Sequence, residues 1–177
     1  MVEKALRIAT EAHLGQVRKG DSSPYIVHPV MVALKLREHR FSDTVVAAAL
    51  VHDVLEDTPF PESRLRAELG EEVVSIVNTV SEDKSLPWEE RKKKYIEEVH
   101  LGSQEAKAVS AADKIHNAQS LFAAYEQDGE RLWHKFSQGK EQQLWFNEEM
   151  LRMLKLSWEH PLVEEYVALV QKLKTLM

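Results

Sequence analysis

The chain has 177 residues, 44% of them hydrophobic and 29% charged, which is ordinary for a soluble globular protein able to bury one sizeable core. Its formal net charge of −6 argues against a nucleic-acid binder, whose phosphate affinity comes from clustered Lys and Arg. It leaves room for an anionic small molecule, wherever basic groups are focused locally or a metal bridges the charges.

Cysteine is absent, so disulfides and thiolate metal sites are excluded and any metal falls to His, Asp, Glu or carbonyl oxygens. No apolar run approaches the roughly 20 residues needed to span a bilayer. The opening "MVEKALRIATEAH" lacks the basic and apolar regions of a secretory leader. A cytoplasmic protein without a membrane partner is expected.

The pattern is helical almost throughout. From Val2 to Val17, apolar or small residues recur at three- and four-residue spacing, and "GDSSP" (Gly20 to Pro24) then turns the chain. A second helix is expected from about Pro29 to His39, because Pro suits the first helical turn. Ser42 or Asp43 can cap a third, "TVVAAALVHDVLED", which must stop near Thr58 before Pro59 and Pro61. "PESRLRAELG" and "EEVVSIVNTV" read as short helices. The polar connection "SEDKSLP" leads into "WEERKKKYIEEV". The long Ala-rich "SQEAKAVSAADKIHNAQSLFAAYE" follows, then "DGERLWHKFSQGK" with its two glycines, then helices over Glu141–Trp158 and Pro161–Leu176. The expectation is one all-α domain over residues 1–177, a bundle of roughly eight to ten helices.

One stretch breaks the local rules. "HDVLEDT" (52–58) places three carboxylates and a histidine directly after the core-like "VVAAALV". On a helix, His52 would lie over Glu56, and Asp53 over both Glu56 and Asp57. The acids would then occupy the helix C-terminus, where the macrodipole disfavours each by roughly 0.3–1 kcal/mol. A frayed, solvated helix end is the plain reading. The His52–Asp53 pair argues for more, since imidazole nitrogen with carboxylate oxygen is a ligand set for Mn, Fe, Zn or Ni. Further ligands must come from elsewhere, and His28 in "SPYIVHPV" and Asp113 in "AVSAADKIHNAQSL" are candidates. Alone, His28 reads as a packed histidine, and Asp113 as a partner of Lys114 or Lys84 or as a solvent-facing group. Asp113, Asn117 and Ser120 nevertheless form a polar stripe on a small, apolar helix, suited to lining a cleft.

Together these pieces resemble the HD superfamily of metal-dependent phosphohydrolases, whose signature is a His, an adjacent His-Asp pair and a distant Asp. "AHLGQVRKGDSSPYIVHPVMVA", "AALVHDVLEDT", "ELGEEVVSIVNTVSEDK" and "AADKIHNAQSL" look like the hydrolase domain of the RelA/SpoT family, in the same order. "SEDKSLPWEERKKKYIE" resembles its small stand-alone members. The resemblance runs from about Ala5 to Tyr125. It implies a Mn2+-dependent enzyme that removes the 3′-pyrophosphate of guanosine tetra- and pentaphosphate. It also implies His28, His52, Asp53 and Asp113 as metal ligands and Glu56 and Asp57 as catalytic residues. Arg18, Lys19, Tyr25, Asn117 and Ser120 would contact the substrate.

Two departures stand out. "KGDSSPY" replaces a commoner "KSGEPY", and "VSAADKIHN" replaces "VKLADRLHN", so a lysine and a leucine become Ser110 and Ala111. The lost lysine would thin the positive charge near Asp113. Two other readings stay open: an HD-type phosphatase of another nucleotide, such as NADPH at its 2′-phosphate or a 3′-phosphorylated nucleotide, and a non-catalytic nucleotide-binding module. The run Arg91-Lys92-Lys93-Lys94 reads as a solvated face paired with Glu89, Glu90, Glu97 and Glu98, and Lys84 as a helper beside Arg18 and Lys19. His13, His39, His100, His134 and His160 read as structural. The C-terminal aromatics Trp133, Phe136, Trp145, Phe146 and Trp158 read as core or partner surface.

Overall fold

A computed structural model describes residues 1–18, 20, 22–135 and 138–176. It is all-helical, with no strand among these residues beyond a single bridge between Val17 and Pro24. Helix α1 (Val2–Ala12) buries Ala5, Ile8 and Ala9, the apolar face read from its spacing. It stops well short of Val17. His13 and Leu14 form its terminal turn, and Gly15 takes φ +80°, a conformation that ends the helix without strain. Residues 16–18 then pair with residues 23–25 through Arg18 N–H to the Ser23 carbonyl (2.8 Å) and Tyr25 N–H to the Gln16 carbonyl (2.9 Å). Helix α2 (Val27–Glu38) starts two residues before Pro29, which sits in the first turn.

The expected helix through "TVVAAALVHDVLED" is two helices. In α3 (Asp43–Leu50), Ser42 accepts from the Val45 N–H as N-cap, and every residue from Val45 to Val51 is buried. The ladder then tightens to i→i+3 bonds, Val51 N–H to Ala48 and Val54 N–H to Val51. A new four-residue helix, α4 (Val54–Asp57), begins after Asp53. The acids therefore stand in the first turn of a fresh helix and not at the far end of a long one. This removes the dipole penalty that one continuous helix would have imposed.

Helices α5 (Glu62–Leu69) and α6 (Glu71–Thr79) follow, joined at Gly70, which takes φ +92°. Next come α7 (Trp88–Leu101) and the 25-residue α8 (Gln104–Asp128), whose N-cap Ser103 accepts from the Ala106 N–H at 3.2 Å. A 3-10 helix (Gly129–Lys135) covers most of the glycine-bearing segment, and α9 (Lys140–Ser157) and α10 (Pro161–Thr175) complete the bundle. Helix α3 is central, packing against α1, α2, α6 and α8, while α10 packs on α8 and α9. The main apolar core draws on residues from Ala5 to Val170, and a smaller cluster forms at Ala118, Phe122 and Leu173. From Ala106 to Ile115 every residue of α8 is buried, and the small side chains Ala106, Ala108, Ala111 and Ala112 let the neighbouring helices approach closely. That same stretch carries Ser110, Asp113 and Lys114 into the interior.

Trp133, Phe146 and Trp158 are core residues, as read from the sequence, and Trp158 stacks flat on His160 at 4.5 Å. Phe136 lies outside the described residues.

The cap of α8 carries a direct test. Ser103→Ala should lower stability by about 1 kcal/mol in chemical denaturation, and Ser103→Asp should restore most of it. Equal loss in both variants would place the effect outside the cap.

Candidate metal centre and nucleotide cleft

The site forms where α2, the α3–α4 break and α8 meet. The i→i+3 tightening after α3 turns the His52 ring so that its Nδ1 donates to the Ala49 carbonyl at 2.7 Å. This leaves Nε2 as the inward-facing atom. It is buried and makes no hydrogen bond to the described residues, although Asp53 Oδ2 stands 3.3 Å away and Asp113 Oδ1 3.8 Å away. His28 presents its own Nε2 to the same point, 3.0 Å from Asp113 Oδ1 and 3.6 Å from Asp53 Oδ2. One ligating atom from each of His28, His52 and Asp113 falls within 4.8 Å of the other two. Asp53 joins through its short distances to both histidines.

This is a donor set of imidazole nitrogens and carboxylate oxygens with an orphaned nitrogen at its centre, and it fits a divalent metal ion. The local field agrees. Burial works against charge on His52, yet Asp53 and Asp113 overcome it and push the imidazole up to about 9. Burial alone would raise Asp113. Lys114, His28 and His52 outweigh it and hold the carboxyl well below the ordinary range. Two carboxylates thus face two imidazoles across one buried point, an arrangement that suits a cation between them.

Around the centre each acid is held from outside. Tyr25 donates to Asp53 Oδ2 (2.7 Å) and Asp57 Oδ2 (3.1 Å). Asp57 also pairs with Lys84, and its carbonyl accepts from Gln16 Nε2 at 3.1 Å. Glu56 accepts the Glu82 N–H at 2.8 Å and lies 3.4 Å from Lys84, which therefore serves the acidic pair directly. Arg18 donates to Asn117 Oδ1 (2.9 Å), and Asn117 Nδ2 donates to Asp113 Oδ1 (2.5 Å). The stripe read on α8 thus faces inward. A cleft of about 630 Å³ opens over these groups, large enough for a nucleotide. Arg18, Tyr25, His28, Asp53, Glu56, Asp57, Asp113, Asn117 and Ser120 all line it. His52 lies beneath, and Lys19 falls outside the described residues.

Several residues at the site escaped the sequence reading. His116 Nδ1 lies 2.7 Å from His28 Nδ1. Burial, and then His28 and Arg18, push His116 down to about 4, so it stays neutral and can either donate or accept. When His28 Nε2 gives its lone pair to a cation, His28 Nδ1 must carry the hydrogen, and His116 is the acceptor that fixes this tautomer. Its spacing of three from Asp113 was a usable signal. Glu82, in the connection before α7, holds both Arg91 (2.9 Å) and Lys92. The basic run therefore divides. Lys93 and Lys94 make the surface pairs expected with Glu89 and Glu98, while Arg91 and Lys92 turn inward. Ser110 is buried and hydrogen-bonded to the Tyr95 hydroxyl (2.8 Å), and the cation beside Asp113 is Lys114, at 2.8 Å from its Oδ2.

Residues 5–140 match the family described as HD domain. The chain belongs to the HD-domain family. Among its relatives is the guanosine-3′,5′-bis(diphosphate) 3′-pyrophosphohydrolase MESH1 of Xenopus tropicalis, 40% identical over 124 residues, covering 68% of this chain and 69% of the relative. The Haemophilus influenzae guanosine-3′,5′-bis(diphosphate) 3′-pyrophosphohydrolase is 37% identical over 120 residues, 64% of this chain but 18% of that longer protein. The fold is similar to that of lmo0812 from Listeria monocytogenes (TM-score 0.77, 36% identity), over 84% of this chain and 99% of that one. It is also similar to a metazoan ortholog of SpoT described as hydrolysing ppGpp (TM-score 0.82, 26% identity), over 99% and 96% of the two chains.

The buttress on His28 is testable without turnover. His116→Phe should weaken divalent-cation binding, probed with Mn2+, by about 10–100-fold in titration calorimetry while leaving thermal stability of the metal-free protein near that of the wild type. Unchanged affinity would remove His116 from the centre.

Proposed function

We propose that the chain is a Mn2+-dependent 3′-pyrophosphohydrolase of guanosine-3′,5′-bis(diphosphate), with residues 1–177 as one hydrolase domain. The observation that carries this reading is the buried His28–His52–Asp113 cluster, with Asp53 beside it, at the base of a nucleotide-sized cleft. Relatives named for that activity, 37–40% identical to this chain, add support. His28, His52, Asp53 and Asp113 would hold the ion. When bound, it would lower the pKa of a water molecule and neutralise charge on the attacked phosphate. Nitrogen and oxygen donors without thiolate suit Mn2+, and the choice of metal is part of the proposal. A cytoplasmic setting fits a guanosine nucleotide substrate.

The chain's own residues divide the remaining work. Glu56 is the general base. Burial pushes its carboxyl above the ordinary 4.5, against the opposing pull of the Glu82 N–H, and places its proton affinity closer to neutral pH. It takes the proton of the attacking water as the new P–O bond forms and the ester bond to the 3′-oxygen breaks. The departing 3′-oxygen takes up the proton that Glu56 accepted from the water, leaving pyrophosphate with GDP from guanosine tetraphosphate or GTP from the pentaphosphate. Tyr25 and Lys84 hold Asp53 and Asp57 in position, and Asp57 orients the water beside Glu56. Arg18, tethered to Asn117, meets the nucleotide together with Lys19 and Ser120.

Product analysis in Mn2+ decides the reading. Guanosine tetraphosphate should yield GDP and pyrophosphate. Orthophosphate from NADPH, with no pyrophosphate from guanosine tetraphosphate, would shift the assignment to a nucleotide phosphatase, and neither product would sink both. Glu56→Gln should lower kcat by about 10²–10⁴-fold while retaining the metal. Because the base acts unprotonated, wild-type kcat should fall as pH drops through the Glu56 pKa, at a midpoint above 4.5. A near-normal rate in Glu56→Gln would move the base elsewhere.

A further inference from the structure

The wall of the cleft is not uniform. It includes exposed Val17 and half-buried Arg18. It also includes a recess of buried side chains, Val80, Tyr95 and Phe146. Two ammonium groups stand in that recess. Lys92 Nζ lies 4.4 Å from the Phe146 ring centroid, and Lys114 Nζ lies 5.2 Å from the same centroid and 4.6 Å from that of Tyr95. Their side chains are only 14% and 11% exposed. Neither is a surface lysine.

The local charges do not balance. Glu82 answers two cations, Arg91 and Lys92, with one carboxylate. Lys114 depends on Asp113, whose other oxygen faces His28 and His52 and would be committed to a bound metal. Burying such groups is costly unless an opposite charge meets them. Lys114 pairs directly with Asp113, and Lys92 lines the same cleft against the same Phe146 ring. A phosphate held over the centre would reach these two cations only with an attached second phosphate.

We infer that Lys92 and Lys114 form an anion subsite for the outer phosphate of a diphosphate ester whose inner phosphate is the one attacked, with Glu82 setting the charge of the subsite. The inference rests on the proposed reaction for the identity of the ester. Its chemistry selects diphosphate over monophosphate esters, since a monophosphate leaves the recess unfilled. Lys92 is a specificity-determining residue, drawn from a run that reads in sequence as solvent-facing.

Binding of inorganic pyrophosphate and orthophosphate to the Mn2+-loaded protein tests the subsite apart from turnover. Wild type should bind pyrophosphate more tightly, and Lys92→Gln should lose about tenfold or more of that affinity, with a much smaller loss for orthophosphate. Lys92→Arg should recover most of it. Glu82→Gln, which removes the counter-charge, should strengthen pyrophosphate binding, a change of sign that a merely structural role would not produce. Lys93→Gln, on the solvent face, is the control and should change neither anion. Equal losses for both anions in Lys92→Gln, or weaker pyrophosphate binding in Glu82→Gln, would overturn the subsite. If wild type releases no pyrophosphate from guanosine tetraphosphate but the selective binding effects appear, the proposed reaction falls and the subsite stands. Turnover to pyrophosphate without those effects would leave the reaction standing and remove the subsite.

Discussion

Two carboxylates, Asp53 and Asp113, are brought together against two buried imidazoles inside a helical core, and the surrounding structure is organised around that concentration of charge. In a low-dielectric interior each acid would be expensive alone, and the pair more so. The chain answers them from several directions: Lys114 on Asp113, the Tyr25 hydroxyl on Asp53, and His28 and His52 between them. Even so, His52 keeps a buried nitrogen with no hydrogen bond to the described residues. A divalent cation placed there would complete the arrangement.

The helical frame explains how such a cluster is held. Six of the eight residues of α3, Val45 to Leu50, are buried, so α3 cannot rotate or slide without exposing core. Its tightened last turn, ending in the His52–Ala49 bond, fixes the imidazole from the backbone. The restart at α4 then lifts Glu56 and Asp57 to the cleft wall, where Lys84 and the Glu82 N–H hold them. Helix α8 supplies the opposite wall. Its alanines bring Asp113 within reach of His28, and Ser110, tied to Tyr95, anchors α7 to it. Precision at the site is inherited from packing that has no chemistry of its own.

Much of this was legible in the chain. The helical period, the cap at Ser42 and the prolines at 59 and 61 marked out an all-α bundle, because those signals act locally. "HDVLEDT" stood out because acids followed a core-like run, and the polar stripe on α8 announced a cleft. The break within residues 44–57 was hidden. Nothing in "LVHDVLED" forbids a continuous helix, and it is tertiary packing with the His52–carbonyl bond that tightens the turn. Glu82 lay in a connection with no period to read, and its role appears only when α6 and α7 are folded beside α4. Arg91 and Lys92 were masked by Lys93 and Lys94, which do behave as a solvated face. Adjacent residues on a helix point about 100° apart, so one basic run can serve two environments.

That division has a consequence for how the site handles a highly charged ligand. A polyanion approaching a cluster of five carboxylates, Asp53, Glu56, Asp57, Glu82 and Asp113, meets repulsion unless cations are placed at separated points along its length. Arg18 stands beside Asn117, Lys84 beside the acidic pair, and Lys92 with Lys114 against the Phe146 ring. Each is tethered to a carboxylate or amide already in the site, so each is oriented before a ligand arrives and little side-chain entropy remains to be lost. The same tethers keep any one cation from dominating. A ligand gains fully only by presenting negative charge at several positions with the right spacing, and an anion with a single phosphate satisfies at most part of the set. Selectivity for an extended phosphate chain then follows from the placement of counter-charges.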